Sequence, residues 1–143
     1  MIPKNLSGFE RQLCDIQGRL FELSLSKELD SATFIQTFMN SKTCEFLDMP
    51  YDRLQWAGEE YILENLLEET AVGTGGPRYD KEVLFWTGYT YRYWHLQTGE
   101  SSRTIYAQAD AKKMNDCYFG FHTLDVVMAI ENLKEIYRQE NRY

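Results

Sequence analysis

A chain of 143 residues has the length of one domain and can bury about two-thirds of its unfolded surface in a single core. The 22 Asp and Glu outnumber the 15 Lys and Arg, and the resulting charge of -7 repels phosphate backbones and anionic lipid, which argues against nucleic-acid and membrane binding and points to basic partners. Cys14, Cys44 and Cys117 are odd in number and lack CxxC spacing, so they suggest neither a disulfide framework nor a zinc knuckle but reduced thiols in a cytoplasm.

The opening "MIPKNLSGFERQ" lacks the apolar run of a secretory signal. From Phe9 onward, Phe9, Leu13, Ile16, Leu20 and Leu23 recur at steps of four and three and predict an amphipathic helix with Ser7 as N-cap. "LDSATFIQTFMNS" follows, with Asp30 or Ser31 as cap and Phe34, Ile35, Phe38 and Met39 on a buried face. "KTCEFLDMPY" adds a turn or two before Pro50, which disfavours helix at Met49. Asp52 can then cap one long helix over "RLQWAGEEYILENLLEET".

The Gly-rich "AVGTGGPRYD" ends it. The passage lacks the preceding strand and the Lys-Ser or Lys-Thr of a phosphate-binding loop, and 73–78 reads as a hinge between two helical halves of one domain spanning 1–143. "FWTGYTYRYWHL", Phe85 to Leu96, is dense in rings in a chain where 15% of residues are aromatic. Alternation of Tyr89, Tyr91 and Tyr93 allows a hairpin at 83–97, which would make the fold α+β. A helix from Asp80 to Gly99 fits better, because a lone hairpin has no sheet to join, and Gly88 then marks close packing against another helix. The stretch carries Arg92, His95 and several hydroxyls and is too short and polar for a membrane span.

Ser101 or Ser102, then Asp110, offer caps for two short helices. "FHTLDVVMAIENLKEIYRQENRY" closes the chain as a helix capped by Thr123, with Val126, Ile130, Leu133 and Tyr137 on one stripe. The expected fold is therefore all-α, a single compact domain of about six helices around an aromatic-rich central helix.

The run "FWTGYTYRYWHLQTGESSRTIY", continued by "FHTLDVVMAIENL" and preceded by "YDRLQWAGEEYILENLLEE", resembles a family of small acidic bacterial proteins of unassigned function from Gram-positive gut bacteria. The resemblance runs from Tyr51 onward. It implies an association with toxin-antitoxin-like or mobile gene clusters and carries over no catalytic residues.

Two kinds of function compete. Leu54 to Val72 contains Glu59, Glu60, Glu64, Glu68 and Glu69 and no base; the three at four-residue spacing stack on one helix face, where like charges repel by a few tenths of a kcal/mol per pair. Such a ladder is either a solvated face or the docking surface of an antitoxin-like or regulatory protein for a basic partner. The rival is an enzyme or small-ligand binder with an aromatic pocket around Tyr89, Tyr91, Arg92, His95 and His122. Two imidazoles suit acid-base work near neutral pH. Arg92 among rings either presents its fork to a carboxylate or phosphate, or is buried against an internal acid. His95, His122 and Asp125 are metal-ligand types without HxxxH or HExxH spacing, so no metal or cofactor is expected. Homo-oligomerisation is left open.

Overall fold

Six of the eight helices among the described residues start at a side chain that accepts one of the backbone N–H groups a helix cannot satisfy itself. The computed structural model describes residues 5–142; the first four residues of the stretch read as lacking a secretory signal, and Tyr143 of the expected last helix, lie outside them. Helix α1 (Gly8–Leu23) opens with a capping box in which Ser7 and Glu10 satisfy each other's backbone N–H. Asp30 caps α2 (Ser31–Met39), Ser41 caps α3 (Lys42–Asp48), Ser101 caps α6 (Ser102–Gln108) and Asp110 caps α7 (Ala111–Phe121). Helix α4 (Glu59–Glu69) starts at Gly58 and α5 (Lys81–Thr98) at Asp80, neither with a side-chain cap. Helix α8 (Val126–Glu140) is capped by Asp125, not Thr123, because the Asp125 carboxylate accepts the Val127 N–H at 2.9 Å.

Three expectations are corrected. The described residues hold eight α-helices rather than about six, since short segments such as Lys42–Asp48 and Ser102–Gln108 each carry their own cap. The long helix expected from Arg53 is broken: Asp52 caps only a 3-10 turn, Arg53–Trp56, and Gly58 sits at φ 84°, a left-handed conformation that cannot continue a right-handed helix. The hairpin alternative at 83–97 fails, because Lys81–Thr98 is one helix. The single β feature among the described residues is an isolated bridge between Leu29 and Thr74. Through it, and through Asp30 N–H to Gly73 O, Ser31 N–H to Pro77 O and Gly75 N–H to Glu28 O, the Gly-rich passage is hydrogen bonded to the segment that enters α2.

Helix α5 is the axis of the fold. It packs most extensively on α1 and also touches α6, α7 and α8, while α4 lies on α1 and α3. Glycines permit the closest approach: a Cβ on Gly88 would stand 2.5 Å from the Gln17 carbonyl oxygen, and one on Gly18 would meet the Phe85 ring. Leu84, Tyr91 and Trp94 of α5 join Phe21, Phe34 and Leu133 in one core that draws residues from every α-helix.

Candidate functional site

The inward side of α5 carries a buried polar centre. Arg92, with a side chain 1% exposed, donates Nε–H to Gln17 Oε1 at 2.7 Å and Nη1–H to Asp48 Oδ1 at 2.7 Å, and its Nη2 lies 3.6 Å from Cys44 Sγ. Gln17 in turn donates to the Gly88 carbonyl at 3.1 Å. Asp48 also accepts the N–H of Ser102 at 2.8 Å and its hydroxyl at 2.7 Å, so one carboxylate joins α3, α5 and α6. Of the two readings of Arg92, this geometry is the internal pair: the fork is spent on Gln17 and Asp48. Burial pushes the Cys14 and Cys44 thiols up to about 12 despite the nearby guanidinium, which leaves both protonated and unreactive.

His95 stands beside this centre, with Nδ1 2.6 Å from the Glu100 carbonyl and Nε2 3.1 Å from the Asp48 carbonyl. A carbonyl oxygen only accepts, so a neutral ring can donate to one of them and an imidazolium to both. Tyr91 is fully buried, donates its hydroxyl to the Ala109 carbonyl, and is held well above its ordinary pKa, first by desolvation.

The other two aromatic-pocket candidates lie elsewhere. His122 is exposed, stacks on Tyr118 at 4.3 Å, and has Nδ1 2.7 Å from the Tyr118 carbonyl. Tyr89 lies half-buried between Phe85 and Tyr93. Tyr89 and His122 line one cleft of about 550 Å³ together with Glu22, Glu82, Trp86 and Tyr118, whereas His95 lines a different cavity of about 600 Å³. The two imidazoles do not share a site, and Arg92 and Tyr91 are side chains of the core. Among the described residues no three His, Cys, Asp or Glu side chains are grouped to hold a metal ion.

The five acids also divide. Glu59 pairs with Arg19 of α1 at 3.1 Å. Glu69 reaches across to α3, where it accepts the N–H of Lys42 at 2.8 Å and both the N–H and the hydroxyl of Thr43; burial pushes its pKa up, but these hydrogen bonds outweigh it and hold the carboxyl below its ordinary range. Glu60, Glu64 and Glu68 remain exposed, with no ion-pair or hydrogen-bond partner among the described side chains. They line a cavity of about 550 Å³ with Leu23, Lys27, Leu63 and Leu67.

Sequence reasoning missed the cavity that His95 lines. Phe9 stacks on Trp56 at 4.4 Å, Trp56 is 69% and Tyr51 92% exposed, and Tyr51 takes a left-handed φ of 67°. Gln55 secures the loop by donating to the Leu47 and Met49 carbonyls. The available signal was apolar "MPY" at a helix break followed by Trp56, too short for any periodicity. Glu22 and Glu82 were missed as well, because nothing local marks two acids so far apart in the chain as neighbours.

No protein-family model, curated protein or solved structure matches this chain. Among the described residues no helix is long and apolar enough to cross a membrane.

Proposed function

We propose that the chain is a protein-interaction module that docks a basic partner on α4. The observation that carries this is the ladder Glu60, Glu64 and Glu68, left without an ion pair, with Lys27 the one cation lining the same cavity, after Glu59 and Glu69 have been drawn into contacts with α1 and α3. Like charges one turn apart repel by a few tenths of a kcal/mol per pair, and a partner's Lys or Arg would replace repulsion by attraction and speed encounter. Leu67, half-buried between Glu64 and Glu68, supplies apolar area next to the charge. On the resemblance noted above, the role is that of the neutralising or regulatory member of a two-gene module.

The test is capture of the partner from native lysate by the wild type and by a Glu60→Gln, Glu64→Gln, Glu68→Gln variant. The expected result is a protein with a basic surface that is lost from the variant and released from the wild type as salt rises. The variant should unfold within about 0.5 kcal/mol of the wild type, since the repulsion it relieves is offset by the loss of the Glu60 charge from the first turn of α4. Recovery of the same proteins by both chains would overturn the reading.

A further inference from the structure

The molecule uses one device twice for a lysine side chain: a carboxylate on one side of the ammonium and an aromatic ring on the other. Lys134 Nζ lies 2.7 Å from Glu100 Oε2 and 5.8 Å from the Trp94 ring centroid. Lys113 Nζ pairs with Glu140 and lies 6.0 Å from the Tyr137 ring centroid. An ammonium is stabilised there both by the carboxylate charge and by the negative face of the ring.

The cleft bounded by α1, α5, α7 and the start of α8 has the same components and no lysine. Glu22 and Glu82 line it, along with Trp86, Tyr89, Tyr118 and His122, and no Lys or Arg does. Neither glutamate has an ion-pair or hydrogen-bond partner among the described side chains. The rings are held in place by one another: Trp86 meets Tyr118 edge-on at 5.7 Å, and Tyr118 stacks on His122 at 4.3 Å. Because His122 Nδ1 faces the Tyr118 carbonyl, the neutral ring carries its proton there and its Nε2 is an acceptor. The cleft is thus lined by acceptors and aromatic rings, without a fixed positive charge of its own.

We infer that this cleft is a binding site for an alkylammonium cation bearing an N–H, seated between Glu22, Glu82 and the Trp86, Tyr89 and Tyr118 rings. The site is separate from the α4 ladder and does not rest on the function proposed for it. Its occupant is either the lysine side chain of a partner or a free amine, which share this chemistry.

Titrating the isotope-labelled chain with n-butylammonium, and separately with uncharged 1-butanol of the same size, tests the inference by amide chemical shifts. Butylammonium should move the amides around Glu82, Tyr89 and His122 saturably, while 1-butanol leaves them in place. A Glu22→Gln, Glu82→Gln variant, confirmed as folded by its unchanged melting, should bind about tenfold more weakly, since two exposed carboxylate contacts together amount to about one decade of affinity. The Glu60→Gln, Glu64→Gln, Glu68→Gln variant should bind as the wild type does. Equal shifts from 1-butanol, undiminished binding by the Glu22 and Glu82 variant, loss of binding in the α4 variant, or no shifts at all would each overturn the site. Nα-acetyl-lysine methylamide in place of butylammonium separates the sources: tighter binding marks a protein side chain as occupant and weaker binding a free amine, and either order supports the site.

Discussion

The two sides of α5 are built from the same residue types and end in opposite circumstances. On the inward side Tyr91, Arg92 and Trp94 are fully buried, and each polar tip has a partner: the Ala109 carbonyl, Gln17 with Asp48, and Glu100. On the outward side Trp86 and Tyr89 keep part of their rings open to a cleft whose carboxylates, Glu22 and Glu82, hold nothing. An aromatic-rich helix is therefore not one kind of object. Where its polar atoms are consumed internally the residues are core, and where acceptors stand beside open rings they can receive something from outside.

The sharpest way to break this comparison is Arg92→Ala. It would leave buried Gln17 and part-buried Asp48 around a missing guanidinium, and breaking such a pair should cost about 3 kcal/mol, at the low end for buried pairs because Asp48 keeps its hydrogen bonds from Ser102, yet still a large part of a small domain's stability. Denaturant unfolding should show that loss; a change under about 1 kcal/mol would mean that the centre is looser than its geometry indicates.

Next in size is Gly88→Ala, whose new methyl meets backbone at Gln17 and the Phe21 ring and should cost about 1–3 kcal/mol by overpacking. Gly18→Ala meets only the half-buried Phe85 ring, which can swing outward, so it should cost less than Gly88→Ala in the same melts. The reverse order would show that the outward face is the stiffer one.

A smaller effect is read by pH. At Glu100 burial raises the pKa, but hydrogen bonds from Lys134, Gln108 and Trp94 outweigh it and hold the carboxyl at about 2, against an ordinary 4.5. A folded pKa below the unfolded one means that the contribution is complete above about pH 4.5 and fades as pH falls toward about 2. Wild type should lose more melting temperature across that window than Glu100→Gln does, and parallel curves would show that the inward hydrogen bonds to Glu100 add no stability. Smallest of all, the Glu22→Gln, Glu82→Gln variant should unfold within about 0.5 kcal/mol of wild type, as expected for surface groups with no structural partner. A larger loss would move those acids into the structural class with Glu69.

Local signals were the legible ones. Ser7, Asp110 and the stop at Gly99 could be read, and Asp30 and Ser101 each as one of two neighbouring candidates, because capping is a contact between residues two to four apart. Gly88 was legible as a packing site, though its partner on α1 was not. The long helix expected after Asp52 passes through Gly58, and only the positive φ of that residue shows that α4 starts there. Thr123 and Asp125 are both good caps two residues apart, and the backbone chose the second.

The candidate sites were less legible for the same reason of range. Glu59 and Glu69 look identical to Glu60 and Glu64 in a charge count, yet Arg19 lies 40 residues from Glu59, and Lys42 and Thr43 lie 27 and 26 from Glu69. His95 and His122, the only histidines, invited pairing, but one lies within α5 and the other caps the end of α7, and the packing of those helices sends them to separate cavities.

By itself the sequence determined a chain read as helical, several of its helix starts and a strong negative charge, because propensity, capping and periodicity act within one or two turns. Only the tertiary structure decided which acids are spent, that Arg92 is a closed centre rather than a ligand's fork, and that Glu22 and Glu82 share a cleft with the outward rings. Those outcomes depend on which helix faces meet, and a face is assigned a partner only when the whole core packs.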